Sequence, residues 1–240
     1  FSSSIFPSPM DSDRYPTDHM KCIKVLDSCR YDKDLVSIPE DNYEDIDYVM
    51  IPEGLIKSRV EKVAADIFND YCGRREKPLK IMVVMNGAFQ FYTDLLFHLK
   101  KMAQYKSEKF SFETDFVKIK GYVNTETKLE EISESSISED MVKDQDILIV
   151  EDIYDSGTLM SKLLTHINKF SPKSVEAAVL LHKENPKNLK HGFTAKYTGF
   201  TCPADKFVIG YGMDYNEYFR ELPHVCIITQ KAIEKYEIKQ

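Results

Sequence analysis

The chain has 240 residues, 42% of them hydrophobic and 30% charged, with a formal net charge of −7. A chain of this length buries a sizeable core, so one soluble globular α/β domain is expected. The acidic balance excludes a nucleic-acid or anionic-membrane partner, because counterion release on a phosphate surface requires a basic face.

Residues 1–45 are rich in Ser, Pro, Asp and Tyr and follow neither hydrophobic period, which predicts an irregular N-terminal arm. The opening FSSSIFPSPMDSDRYP breaks any apolar stretch with Ser and Pro, so no signal peptide is expected and the predicted location is cytoplasmic. Order is expected from about Tyr48, and one domain spans 46–230. Ile56, Val60, Val63, Ile67 and Tyr71 share a helical face that stops at Gly73. Residues 80–85 read as a buried strand, followed by an Asn86-Gly87-Ala88 turn and a helix carrying Tyr92, Leu95, Leu96, Leu99 and Met102. A strand is expected within 110–122, then an acidic, Ser-rich mobile loop over about 120–145. Residues 146–150 form another apolar strand, and Met160, Leu163, Leu164 and Ile167 continue at helical spacing. Further strands are expected at 175–181, 207–210 and 225–229, before a charged tail at 231–240. The alternation predicts a doubly wound, largely parallel sheet. No apolar run approaches the roughly 18 residues needed to span a bilayer. The five cysteines form no C-x-x-C pair and read as reduced thiols.

The segment ILIVEDIYDSGT, residues 147–158, carries the chemistry. In an open parallel sheet ligands bind beyond the carboxyl ends of the strands, which is where Glu151, Asp152 and Asp155 are expected. Ser156-Gly157-Thr158 then opens a helix, so free N–H groups, hydroxyls and a glycine suited to close approach make an anion pocket. Two carboxylates before that pocket suit a ribose diol, directly or through a hard cation such as magnesium. Taken alone, the same residues read equally well as a solvated strand end and a helix cap. A P-loop is excluded by the absence of G-x-x-x-x-G-K-[ST], and Gly210-Tyr211-Gly212 lacks the third glycine of a dinucleotide fingerprint.

This segment resembles the phosphoribosyl-pyrophosphate loop of type I phosphoribosyltransferases, specifically the hypoxanthine-guanine enzymes. Similar stretches run from about Tyr48 to Thr229 and include IPEGLI, TDLL, FVKIKGYVN and DKFVIGYGMDYNEYFREL. The resemblance implies the family's sheet with a small hood over the active site, magnesium as cofactor, and a homodimer or homotetramer. It implies phosphoribosyl pyrophosphate and a 6-oxopurine as substrates, giving IMP or GMP and pyrophosphate. Asp155 then matches the general base at purine N7. Glu151, Asp152, Ser156, Gly157, Thr158 and Leu159 fall in the ribose and phosphate loop. Lys183 matches the donor to the purine 6-oxo group, Phe207 the ring stacked on the base, and Val208 supplies main-chain contacts. Asp214 matches the carboxylate near a second magnesium and the base. The metal-binding set is thus Glu151, Asp152 and Asp214. Asn86, Gly87 and Arg220 match pyrophosphate contacts, and Gly121 and Tyr122 open the lid. A donor-only ammonium meets an acceptor oxygen in hypoxanthine or guanine but an amino group in adenine, so adenine is expected to be a poor substrate.

Four departures from the family pattern are visible. Leu-Lys-Gly-Gly becomes Met85-Asn86-Gly87-Ala88, and Thr-Gly-Lys-Thr becomes Ser156-Gly157-Thr158-Leu159. The lid's Ser-Tyr becomes Gly121-Tyr122, and a Lys-Arg pair becomes Lys183-Glu184. The changes remove cations and hydroxyls from phosphate contacts while the acidic residues remain. They leave two readings: a diverged purine-salvage enzyme, or a catalytically impaired paralogue that binds nucleotide or a partner subunit in a regulatory role.

Overall fold

The computed structural model describes residues 21–73, 77–106, 109–118 and 137–238. Its centre is a six-stranded sheet in the order β1-β7-β6-β5-β3-β4. The strands are β1 (Ile23–Lys24), β3 (Leu79–Met85), β4 (Phe112–Lys118), β5 (Asp146–Tyr154), β6 (Ser174–Lys183) and β7 (Tyr197–Cys202). Every neighbouring pair runs parallel. Parallel strands need crossovers, and these supply the helices that cover both faces.

Helices α1 (Glu53–Tyr71) and α2 (Phe89–Tyr105) lie on one face. Their Ile56, Val60, Val63, Ile67, Phe91, Leu95 and Leu99 pack with Ile81, Val83, Leu148, Val150 and Leu180. On the other face α3 (Glu139–Val142) and α4 (Thr158–Asn168) bring Val142, Met160, Leu163 and Ile167 onto Met82, Ile147, Ile149, Ala177 and Val179. Each such aliphatic side chain contributes about 1.5–3 kcal/mol when fully buried. The continuous apolar runs of β3 and β5 follow from burial on both faces.

A second, three-stranded sheet in the order β2-β9-β8 forms the hood from β2 (Ile46–Ile51), β8 (Val208–Ile209) and β9 (Val225–Ile228), paired antiparallel. Ile46, Val49, Ile209, Tyr215, Phe219, Leu222, Cys226 and Ile228 close a separate small core there. His224 fastens hood to body. Its Nδ1 accepts from the Glu53 N–H at 2.9 Å, capping α1, and its Nε2 lies 3.1 Å from the Ser37 carbonyl.

Residues 21–45 and 230–238 are more structured than composition suggests. Within the expected arm, Ile23–Lys24 adds the edge strand β1 and Lys33–Leu35 and Glu40–Asp45 form short 3-10 turns. The expected tail contains α5 (Gln230–Lys235), started by the Thr229 hydroxyl accepting from Ala232 N–H at 3.1 Å. Lys235 anchors it on buried Asp45 at 2.8 Å. Among the described residues no helix is long and apolar enough to cross a membrane.

Candidate active site

The chain leaves β3 for β4 on one side and returns in β5 on the other, so a crevice opens at the carboxyl ends of β3 and β5. The 86–88 turn follows β3 and the 155–157 loop follows β5, so both stand at this crevice. A Cβ added at Gly87 would lie 2.0 Å from Asp152 Oδ2, and one at Gly212 would lie 2.1 Å from the Gly87 carbonyl oxygen. Gly212 also has φ of 97°, a conformation open to glycine. The two glycines therefore let the turn after β3, the β5 carboxylate and the hood loop approach to contact. The Met85–Asn86 peptide is cis.

Glu151 and Asp152 were expected beyond the strand, but β5 extends through both to Tyr154 because β6 continues the ladder to Tyr154↔His182. Each is more than nine-tenths buried. Burial, reinforced by the neighbouring Asp152 charge, pushes the Glu151 carboxyl well above the ordinary range. A buried carboxyl of this kind is suited to an arriving cation or diol that favours its charged form.

Asp155 stands just past the strand end. Its Oδ2 accepts from Lys183 Nζ at 3.1 Å, and its Oδ1 accepts from Asn185 Nδ2 at 3.0 Å. Lys183 is the last residue of β6, so adjacent parallel strands deliver the two charges to one place. The lysine side chain is 8% exposed and the aspartate 23% exposed, leaving the carboxylate as the open member of the pair. The Lys183 carbonyl accepts from Asn185 N–H at 2.7 Å and from buried Asn188 Nδ2 at 2.8 Å.

Gly157 caps α4 with φ of 77°, and a Cβ there would lie 2.6 Å from the Tyr154 hydroxyl. The left-handed residue turns the chain directly from the strand-end loop into the helix. Ser156 Oγ and Thr158 Oγ1 lie 3.0 Å apart, with Thr158 N–H directed at Ser156 Oγ at 3.4 Å. Backbone donors of the first turn of α4 and two hydroxyls thus converge, while Thr158 and Leu159 open the helix without a cation.

From the hood, Asp214 Oδ1 pairs with Arg220 Nη2 at 2.9 Å, and its Oδ2 accepts from Glu217 N–H at 2.7 Å. Arg220, expected on pyrophosphate, also donates to the Gly212 carbonyl at 2.8 Å and pairs with Glu217 at 3.2 Å. Burial raises the Asp214 carboxyl, opposed by the Glu217 N–H bond and Arg220 and augmented by the charges of Glu217 and Asp152. Asp152, at the end of β5, thus acts on Asp214 in the loop between β8 and β9. Val208 is buried in β8, and the Phe207 ring packs edge-on against Tyr215 at 5.3 Å. Gly121 and Tyr122 lie outside the described residues.

Asn185 and Asn188 were not anticipated from the sequence. An asparagine before a proline reads as an ordinary turn residue, and only the tertiary fold brings it to Asp155. His182 was expected to be structural and is buried against the Tyr154 ring at 4.8 Å, where burial pushes its imidazole down to about 4.

The phosphoribosyl transferase domain family matches residues 52–216. The chain is 37% identical over 210 residues to phosphoribosyltransferase domain-containing protein 1 of Xenopus tropicalis, covering 87% of this chain and 90% of that one. It is 36% identical over 209 residues to the human hypoxanthine-guanine phosphoribosyltransferase, covering 86% and 92% respectively. The crystal structure of hypoxanthine-guanine phosphoribosyltransferase from Schistosoma mansoni in complex with IMP superimposes with a TM-score of 0.72 at 29% identity, over 90% of this chain and 99% of that one. The matched span contains both sides of the β3/β5 crevice, and on that ground the chain belongs to the phosphoribosyltransferase family, with its type I fold.

Proposed function

We propose that the protein transfers the 5-phosphoribosyl group of phosphoribosyl pyrophosphate to hypoxanthine or guanine, releasing IMP or GMP and pyrophosphate, in purine salvage. The Lys183–Asp155 pair at 3.1 Å, beside a helix-start anion loop, carries this reading. Lys183 supplies a donor for a 6-oxo oxygen, and Asp155 supplies an acceptor for the proton at the neighbouring N7. Two adjacent atoms on one edge of a 6-oxopurine are thereby addressed by residues already held together.

Asp155 takes the N7 proton while N9 forms its bond to ribose C1, and the C1–oxygen bond to pyrophosphate breaks with its electron pair leaving on pyrophosphate. Backbone N–H groups at the start of α4, with Ser156 and Thr158, hold the 5-phosphate. Glu151 and Asp152 bind the ribose diol. Val208 and Phe207 line the base from the hood.

The donor set fits magnesium carried with the substrate. Glu151, Asp152 and Asp214 are hard oxygen ligands, yet the described residues hold no cluster of three or more groups able to cage a metal by themselves. Glu151 and Asp152 would hold one ion, and Asp214 a second, each together with substrate oxygens. Bound there, magnesium would supply positive charge against the leaving pyrophosphate.

A second reading, a paralogue that binds nucleotide without efficient turnover, draws on Asn86, Ala88, Thr158 and Leu159 and on the engagement of Arg220 by Asp214 and Glu217. Assay of the protein with phosphoribosyl pyrophosphate, magnesium and each of hypoxanthine, guanine, xanthine and adenine separates the two. Turnover of a 6-oxopurine supports the enzyme; nucleotide binding without turnover of any base supports the paralogue. Gel filtration with light scattering tests the proposed homodimer or homotetramer, and fractionation of tagged protein tests the cytoplasmic location.

A further inference from the structure

The Asp155 carboxylate has two anchors, and they differ in what a bound purine does to them. Lys183 Nζ holds Oδ2 at 3.1 Å and Asn185 Nδ2 holds Oδ1 at 3.0 Å. If the proposed function holds, Lys183 divides its three N–H donors between the 6-oxo oxygen and Asp155. Asn185 meets no such demand.

Asn185 is itself fixed. Its Oδ1 accepts from Lys187 N–H at 3.0 Å, capping the 3-10 turn Pro186–His191, and its own N–H donates to the Lys183 carbonyl at 2.7 Å. With the side-chain oxygen committed to the Lys187 N–H, the amide cannot flip, so the nitrogen must face Asp155 as a donor. Pro186, directly after it, restricts the backbone further. One side chain therefore ties the turn after β6 to the carboxylate after β5.

We infer that Asn185 is a positioning residue for Asp155: it holds Oδ1 while Lys183 also serves the base, so that Oδ2 stays aimed at the purine N7 proton. This rests on the proposed base chemistry, whereas the underlying contact can be read without it.

Asn185→Ser and Asn185→Asp separate positioning from capping, because both keep a capping oxygen and neither offers the amide donor to Asp155. The expected result is a fall in kcat of roughly tenfold or more, with KM for base and phosphoribosyl pyrophosphate little changed and the melting temperature retained. The loss is larger in Asn185→Asp, which sets a second carboxylate beside Asp155. Unchanged kcat in both variants, or losses that only track the melting temperature, would overturn the inference.

An activity-independent measurement follows the Asn185 side-chain amide by NMR, assigned by its disappearance in Asn185→Ser. Replacing Asp155 with Ala should shift these resonances and speed their exchange with water. Resonances indifferent to Asp155→Ala would overturn the inference even in an active enzyme. A protein without turnover whose resonances do respond would retain the Asn185–Asp155 contact while the proposed reaction fails.

Discussion

The Asp152 carboxylate lies so close to Gly87 that a Cβ at position 87 would stand 2.0 Å from Oδ2. The turn after β3 and the end of β5 are packed through a glycine, with the hood's Gly212 against the Gly87 carbonyl. Gly87→Ala should therefore displace a buried carboxylate and destabilise the fold by about 1–3 kcal/mol. Thermal denaturation should show a lower midpoint, and the KM for phosphoribosyl pyrophosphate should rise. An unchanged midpoint and KM would show that Asp152 moves aside freely.

Asp155→Asn keeps the side-chain shape but removes the charge that pairs with Lys183 and accepts a proton. Turnover should fall by about 10²- to 10⁴-fold, while IMP binding by calorimetry changes far less. An unaltered rate would remove Asp155 from the proposed role.

The phosphate-loop departures predict gains. Asn86→Lys restores a cation beside the pyrophosphate site, and Leu159→Thr restores a hydroxyl in the first turn of α4. The double variant should bind phosphoribosyl pyrophosphate more tightly by titration calorimetry. Equal affinities would mean that backbone donors already suffice.

The buried His182 gives a pH test of stability. Its imidazole is held down to about 4 by burial, below the ordinary value near 6.5 of an exposed histidine. The unfolded chain therefore takes up a proton that the folded protein refuses, so this group's effect is neutral above about pH 6.5 and destabilising as pH falls from there toward 4. His182→Phe, retaining a ring against Tyr154, should lose that part of the acid sensitivity, amounting to a few kcal/mol across the window. Parallel denaturation curves at pH 7 and pH 4.5 measure it. An identical pH dependence in both proteins would contradict the account.

The parts of this fold that burial dictates were legible from residues. The apolar runs of β3 and β5, and the helical spacing through Ile56–Val60–Val63 and Met160–Leu163–Ile167, place the central layers, because parallel strands and their covering helices must be apolar where they meet. Strand β7 was missed. Its YTGFTC mixes Thr and Gly with aromatics, and Gly199 is there for close approach to the Leu180 carbonyl, 2.5 Å from a hypothetical Cβ. Likewise β1 is two residues long and exists only because β7 offers it an edge. At the site, motif likeness supplied Asp155 and Lys183 separately, but not their contact or the part of Asn185. Those depend on how the turn after β6 folds back toward the loop after β5, a relationship with no local signature.

The central claim is that Lys183 and Asp155 address a 6-oxopurine. The most direct measurement is initial-rate assay of nucleotide formation from phosphoribosyl pyrophosphate and magnesium with hypoxanthine, guanine and adenine in parallel. Hypoxanthine or guanine should be converted, and adenine should have a kcat/KM lower by at least about 100-fold. No turnover of any base by protein that still binds IMP, or adenine turned over as well as hypoxanthine, would contradict it.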